Sequence, residues 1–228
     1  MRWHLMEKAA LAELVKRIRE SHEIRIETIP DIELYMDQLL TFLNQRLDSS
    51  SKTQDAPVFT KTMINNYTKD RLLIPPKNKK YSKQHIMLLI LIYHLKGILS
   101  ISDIKQLFAP ILQDINTPED DLLPLEDIYT TYLALTESYL TEFSENFSHK
   151  LSFITNLTSH LEGEANHVAR LFLTVLVLIA QADLSKKVAE LIIEGYFNAP
   201  AASDEFARKA YNLDLDTVFG QNHRDCKQ

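Results

Sequence analysis

Apolar residues recur along this chain at helical spacing, and no run of apolar/polar alternation bounded by turn residues calls for a sheet. The pattern predicts an all-α class with at most a minimal β-hairpin. Trp3 to Glu20 sets Met6, Leu11, Leu14, Val15 and Ile18 on one side and charged residues on the other, an amphipathic helix. A second helix is expected after Pro30 and Asp31, carrying Ile32, Tyr35, Met36, Leu39, Leu40 and Leu43. Asp48 to Pro57 is polar and turn-rich, a loop. Thr60 can cap a short helix to about Arg71, with Met63, Ile64, Tyr67 and Leu72 inward and Lys61, Thr62, Asn65, Asn66 and Lys69 outward.

Leu73-Ile-Pro-Pro-Lys-Asn-Lys-Lys-Tyr81 cannot be helical, because its paired prolines lack the required donors, and its lysines make it a protruding basic loop or miniature hairpin. Ser82 then caps a strongly apolar helix to about Lys96, with Gly97 placed for a left-handed C-terminal residue. Ser100 and Asp103 fit a capping box for a helix through Ile104, Leu107 and Phe108, closed by Pro110. Thr117-Pro-Glu-Asp120 is another start signal, and Pro124 restarts the helix.

From Leu125 to Glu162 there is neither glycine nor proline. An apolar stripe runs Ile128, Tyr132, Leu135, Tyr139, Phe143, Phe147, Leu151, Ile154, Leu157, Leu161, at 3.67 residues per step, which fits a nearly straight helix or an undecad-like pairing. Eleven Ser or Thr residues lower its helix propensity, so a break near Asn146 to Lys150 is the alternative. After Gly163, Asn166 to Ala182 and Leu184 to Phe197 read as two further helices, followed by a polar tail beyond Ala199. The stripe is either core for these C-terminal helices or a surface that pairs with a second copy.

Composition narrows the chemistry. The chain has 228 residues with only four glycines and one cysteine. Gly97, Gly163, Gly195 and Gly220 are too scattered for a glycine-rich phosphate loop. Cys226 has no partner for a disulfide, and Met1 to Ala10 offers no apolar stretch of signal-peptide length, so a cytoplasmic location is expected. The longest near-apolar runs, Ile86 to Leu95 and Leu171 to Ala182, fall short of the roughly 20 residues that cross a bilayer, so both are expected to be buried helices and no membrane is implied. Net charge is −6, yet residues 52–105 carry ten Lys or Arg against three acids, leaving −13 for the rest. A local basic patch, not total charge, sets the field felt by a polyanion.

The segment Phe59 to Phe108 resembles the DNA-binding core of the MerR family of bacterial regulators. Tyr67, Leu72, Leu73 and Pro75 match that family's Tyr-x-x-x-x-Leu-Leu-x-Pro pattern, Lys79-Lys-Tyr-Ser82 matches its basic wing exit, and Leu99-Ser-Ile-Ser-Asp-Ile104 mirrors the ending of its next helix. Thr60-Lys-Thr-Met-Ile-Asn-Asn-Tyr67, with the paired prolines and Lys79-Lys-Tyr-Ser82, is similar to an uncharacterised bacterial family, domain of unknown function 1836, over about residues 28 to 110. The resemblance implies a winged helix-turn-helix over 28–115, after an N-terminal helix (1–27) and before a helical dimerisation or effector region (116–200) and a short helix with polar tail (201–228). The expected architecture is therefore a MerR-like winged helix-turn-helix followed by a C-terminal helical bundle.

The residues themselves point the same way. Asn65 and Asn66 present paired donors and acceptors that match an adenine edge, while Lys61, Lys69, Lys77, Lys79 and Lys80 can neutralise phosphates, with Thr62 on the same face. The bland alternative is a solvated helix face whose lysines serve solubility. For enzymatic chemistry, His160, Glu164 and His167 have helical spacing, but a di-iron centre needs a second Glu-x-x-His unit, and Glu145 with His149 has the wrong spacing. No catalytic residues, metal site or cofactor are expected. The expected function is a non-enzymatic transcriptional regulator binding double-stranded DNA as a homodimer, with any small-molecule effector held between C-terminal helices. The competing readings are a protein-interaction adaptor that keeps the fold without binding DNA and a small-molecule-sensing helical protein.

Overall fold

A computed structural model describes residues 24–47, 57–114 and 124–197, together with Glu13 and Lys16. The helix expected over Trp3 to Glu20, the loop from Asp48, the start signal at Thr117 and the tail beyond Ala199 lie outside those residues. The fold is mostly α-helical. After a 3-10 turn at Ile26–Thr28 come β1 (Leu34–Tyr35), α1 (Met36–Leu47), α2 (Lys61–Lys69), β2 (Lys80–Tyr81), α3 (Lys83–Leu95), α4 (Ile101–Asp114), α5 (Leu125–Leu157) and α6 (Gly163–Ile192), the last continuing into a π-turn at Ile193–Phe197.

Helix α3 is the axis of the core. Every residue from Ile86 to Ile92 is buried, so this helix is apolar all round and needs neighbours on each side. Leu39, Leu43 and Leu47 of α1, Ile64 and Tyr67 of α2, Ile104 and Phe108 of α4, and Leu125 and Tyr129 of α5 supply them. Ile193 and Phe197 from the end of α6 join the same cluster, so one core spans both the 28–115 and 116–200 segments. The Tyr129 hydroxyl, fully buried, donates to the Ile24 carbonyl at 2.6 Å and ties α5 to the start of the described chain.

The only sheet among the described residues is antiparallel and non-local: Leu34 faces Tyr81 and Tyr35 faces Lys80. Residues Ile32 and Tyr35, expected in a helix, instead precede it. Ile32 is 69% exposed and the α1 helix begins only at Met36. Pairing with Lys80 and Tyr81, which lie far along the chain, overrides the local helical pattern.

Several helix ends differ from the sequence pattern. Pro110 lies inside α4 and does not close it. Gly97 is not left-handed, whereas Gly163 (φ 59°) is, at the first position of α6. Helix α5 runs through residues 146–150 without a break. Thr136, Thr141, Ser148 and Ser152 each donate to the carbonyl four residues back, so their hydroxyls find partners without displacing the helix ladder. Phe147 is buried at the expected break, stacked on Phe143 at 5.4 Å.

The two helices expected after Gly163 are one, because Ala182 and Asp183 carry no breaking signal. The larger correction concerns burial. Leu171 to Ala182, expected to be core, is mostly exposed along α6: Phe172, Val175, Leu176, Val177 and Ile179 stand 40–63% accessible. Helix α5 covers only one side, where Leu178 meets Phe147 and its neighbours. Over Gly163–Phe197 this is the described helix long and apolar enough to cross a membrane by length and composition. Counting only uninterrupted apolar residues misses this.

The end of α2 carries a strained residue. Arg71 (φ 57°) occupies the left-handed position of a Schellman motif, with Leu72 N–H donating to the Tyr67 carbonyl at 2.8 Å and Arg71 N–H to Thr68 at 3.2 Å. An L-residue pays about 1–2 kcal/mol for that conformation, which glycine escapes at some entropic cost. Arg71→Gly should therefore raise stability by about 0.5–1 kcal/mol in urea unfolding, and Arg71→Ala should not.

Candidate nucleic-acid interface

Helix α2 is built to show one face. Thr60 adopts extended backbone and its hydroxyl accepts from Met63 N–H at 3.2 Å, setting the first turn. Ile64 and Tyr67 are buried inward. Lys61, Thr62, Asn65, Asn66 and Lys69 are all exposed on the opposite side, where the sequence pattern puts them.

What holds this helix in place is a contact the sequence did not signal. The Asn44 side chain of α1 pairs with both backbone groups of Phe59: its amide donates to the Phe59 carbonyl at 3.0 Å and its oxygen accepts from Phe59 N–H at 2.8 Å. The Phe59 backbone thus gains a surrogate strand partner just before α2, and its buried ring packs edge-on against Tyr67. Lys96 closes the same junction, donating to the Val58 carbonyl at 3.1 Å with its amine 4.6 Å above the Phe59 ring. Burial lowers the Lys96 pKa. An asparagine in an amphipathic helix reads as surface, and only the position of Phe59 reveals its role.

Beyond the Schellman turn, Leu72 and Leu73 return to the core and Pro75-Pro76 lead to the basic turn. Asn78 (φ 51°) and Lys79 (φ 63°) are both left-handed, and Lys80 N–H donates to the Lys77 carbonyl at 2.9 Å. Two central residues with positive φ define a type I′ turn, the tightest hairpin connection. Lys77, Asn78 and Lys79 are exposed at its tip.

Lys80 is placed differently. It lies in β2, half-buried, its amine 4.0 Å from Glu33 and 5.6 Å over the Tyr35 ring, so it does not project from the loop beside Lys79. Lys83 is likewise engaged, between Asp31 (3.5 Å) and Glu126 (3.3 Å). Burial lowers its pKa, but hydrogen bonding and attraction from Glu126 and Asp31 outweigh this and leave it raised. Of the basic residues in this segment, the structure leaves Lys61, Lys69, Arg71, Lys77 and Lys79 exposed around α2 and the turn.

The base of the turn rests on His85. Its Nδ1 accepts from Ser82 N–H at 3.0 Å and lies 2.9 Å from Ser82 Oγ, a capping box with histidine in the usual glutamate position. The Nε2 atom lies beside the Pro75 and Ile74 carbonyls without closing a hydrogen bond to either. The Tyr81 ring meets the imidazole edge-on at 5.3 Å. Among the described residues no three His, Cys, Asp or Glu side chains converge as metal ligands. His160 sits in the turn before α6, off the helix carrying Glu164 and His167.

Residues 24–132 match the model of a family described as a domain of unknown function (DUF1836). The Ile24–Tyr129 hydrogen bond joins residues near the two ends of the matched stretch. No curated protein and no solved structure matches the chain.

Burial holds His85 below its ordinary pKa, so the folded state binds its proton less readily than the unfolded chain. The stability this contributes is fully present above the unfolded value of about 6.5 and is lost as pH falls through the lower folded value, at up to about 1.4 kcal/mol per pH unit. Thermal midpoints measured from neutral pH downward should fall accordingly. His85→Gln, which keeps an acceptor for Ser82 N–H but cannot titrate, should flatten the fall. Separately, Asn44→Ala should cost about 2 kcal/mol in urea unfolding, because it strands two backbone groups of the buried Phe59.

Proposed function

We propose that this protein is a DNA-binding transcriptional regulator whose α1, α2 and basic turn act as a MerR-like winged helix-turn-helix. The observation that carries the reading is the outward face of α2: Lys61, Thr62, Asn65, Asn66 and Lys69 are together exposed, on a helix anchored from behind by Asn44 and Tyr67. An α-helix of this kind fits a major groove, where Asn65 and Asn66 can pair bidentately with adenine N6 and N7. Lys61 and Lys69 flank those positions and meet phosphates.

The turn supplies a second grip. A type I′ turn is short and stiff, so Lys77 and Lys79 are held out at little further entropic cost on binding. In this reading Lys80 braces the turn through Glu33 and Tyr35 and contributes less to phosphate binding. Affinity would come from counterion release, and selectivity from the asparagines. Such a role belongs in the cytoplasm, with the chromosome.

The adaptor reading draws on a different surface. Pro30, Leu34, Asp37, Gln38, Thr41, Phe42 and Gln45 line a shallow groove of about 450 Å³ beside α1, next to the exposed Tyr35. A peptide could lie there with no part for α2.

Fluorescence anisotropy of a labelled random duplex against full-length protein, repeated over a salt series, separates the two. The expected slope of log K on log salt is about −3 to −4 if Lys61, Lys69, Lys77 and Lys79 each neutralise one phosphate. Lys77→Glu with Lys79→Glu should flatten the slope by about 2 and weaken all sequences alike. Asn65→Ala should leave the slope intact but cost about 1–3 kcal/mol on a selected site. Absence of binding at low salt by a folded protein overturns the proposal and favours the adaptor.

A further inference from the structure

Helix α6 leaves an apolar line uncovered. Val168, Phe172, Val175 and Ile179, spaced by four, three and four residues, are 53–63% exposed and fall on one side of the helix. Leu178, which packs against Phe147 of α5, lies about a quarter-turn away. A helix with one neighbour on one side and an apolar seam at roughly a right angle is half of a four-helix arrangement.

Three observations identify the occupant. The first is area. The four side chains of the line expose on the order of 400 Å², about half of what one partner buries in a standard complex, while Val177, Leu184 and Val188 lie on the far side of the helix. A contiguous apolar strip of this size is often functional.

The second concerns a bilayer. Any stretch of α6 long enough to approach a hydrocarbon core of about 30 Å takes in Arg170 or Asp183, since the uncharged run Leu171 to Ala182 spans about 18 Å. Lys150 of α5 donates to Gln181 Oε1 at 2.6 Å, so inserting the hairpin would carry that charge into lipid.

The third is the charge at the two ends of the line. Four residues before Val168 stands Glu164, and seven after Ile179 stands Lys186, both on the side of the apolar line, where Glu190 also lies and holds Lys186 at 3.5 Å within the chain. Packing two copies antiparallel sets each Glu164 toward the partner's Lys186, whereas parallel packing sets like against like. The line is self-complementary in one orientation.

We propose that α6 pairs antiparallel with α6 of a second copy of this chain, through Val168, Phe172, Val175 and Ile179. The long helix α5 also leaves Leu135, Tyr139, Phe153 and Leu157 exposed, but it is the four-residue line of α6 that is bracketed by opposite charges. The pairing is independent of whether the chain grips DNA.

Sedimentation equilibrium of the full-length chain tests it. The wild type should be a dimer, and Phe172→Glu with Ile179→Glu should make it monomeric with unchanged circular dichroism, since both side chains are exposed in the single chain. Lys186→Glu should weaken the dimer about five- to tenfold, and adding Glu164→Lys should restore it, which loss of the Lys186–Glu190 contact within α6 would not explain. A monomeric wild type, or a dimer that survives the Phe172/Ile179 variant, overturns the proposal. So does a monomer that sediments with phosphatidylcholine–phosphatidylglycerol vesicles and loses that binding in the same variant, which would give the face to a membrane.

Discussion

Complete burial of one helix organises this molecule. From Ile86 to Ile92, α3 has no polar side, and each of its large side chains is stabilised by about 1.5–3 kcal/mol only if something covers it. Helices α1, α2, α4 and α5 each present a single apolar stripe to it, so their remaining faces are set free by geometry. The outward face of α2 is polar because its inward face is committed to α3 through Ile64 and Tyr67. The surface offered to a ligand is thus a by-product of the way the core closes.

Polar contacts then fix what apolar packing leaves loose. Hydrophobic burial is non-directional and would allow α2 to slide or turn on the core. Asn44 removes that freedom by gripping both backbone groups of Phe59, Lys96 does so from α3, and Lys83 joins Asp31 to Glu126 across three segments. His85 performs the same task for the start of α3, its Nδ1 accepting from Ser82 N–H while the buried ring lies against the Ile74–Pro75 stretch. Several of these residues are basic or aromatic and lie within the segment richest in positive charge. Part of that charge is therefore structural, and the exposed remainder is concentrated on α2 and the I′ turn.

The C-terminal hairpin follows a different logic. Helix α5 is anchored at its start by Leu125 and Tyr129, and α6 returns at its end through Ile193 and Phe197. Between these ends the two helices share the small cluster around Phe147 and the Lys150–Gln181 hydrogen bond, with Arg170 reaching Thr158 near the turn. A hairpin fixed at one end and sparsely packed along its length has apolar surface to spare, in contrast to the closed core beside it.

Local chemistry was written plainly in the sequence. The caps at Thr60, Ser82 and Ser100, the apolar run of α3, the outward residues of α2 and the turn after the paired prolines all follow from interactions within a few positions, and the folded chain keeps them. Helix continuity through Asn146 to Lys150 was ambiguous, because propensity counts hydroxyls as a cost without seeing the carbonyls they satisfy. Tertiary structure alone decided that Tyr35 pairs in a strand, that Asn44 is a clamp, that Lys80 and Lys83 face acids, and that Leu171 to Ala182 is surface. Each depends on a partner distant along the chain. Periodicity tells which side of a helix is apolar, but only the arrangement of the other helices determines whether anything lies against it.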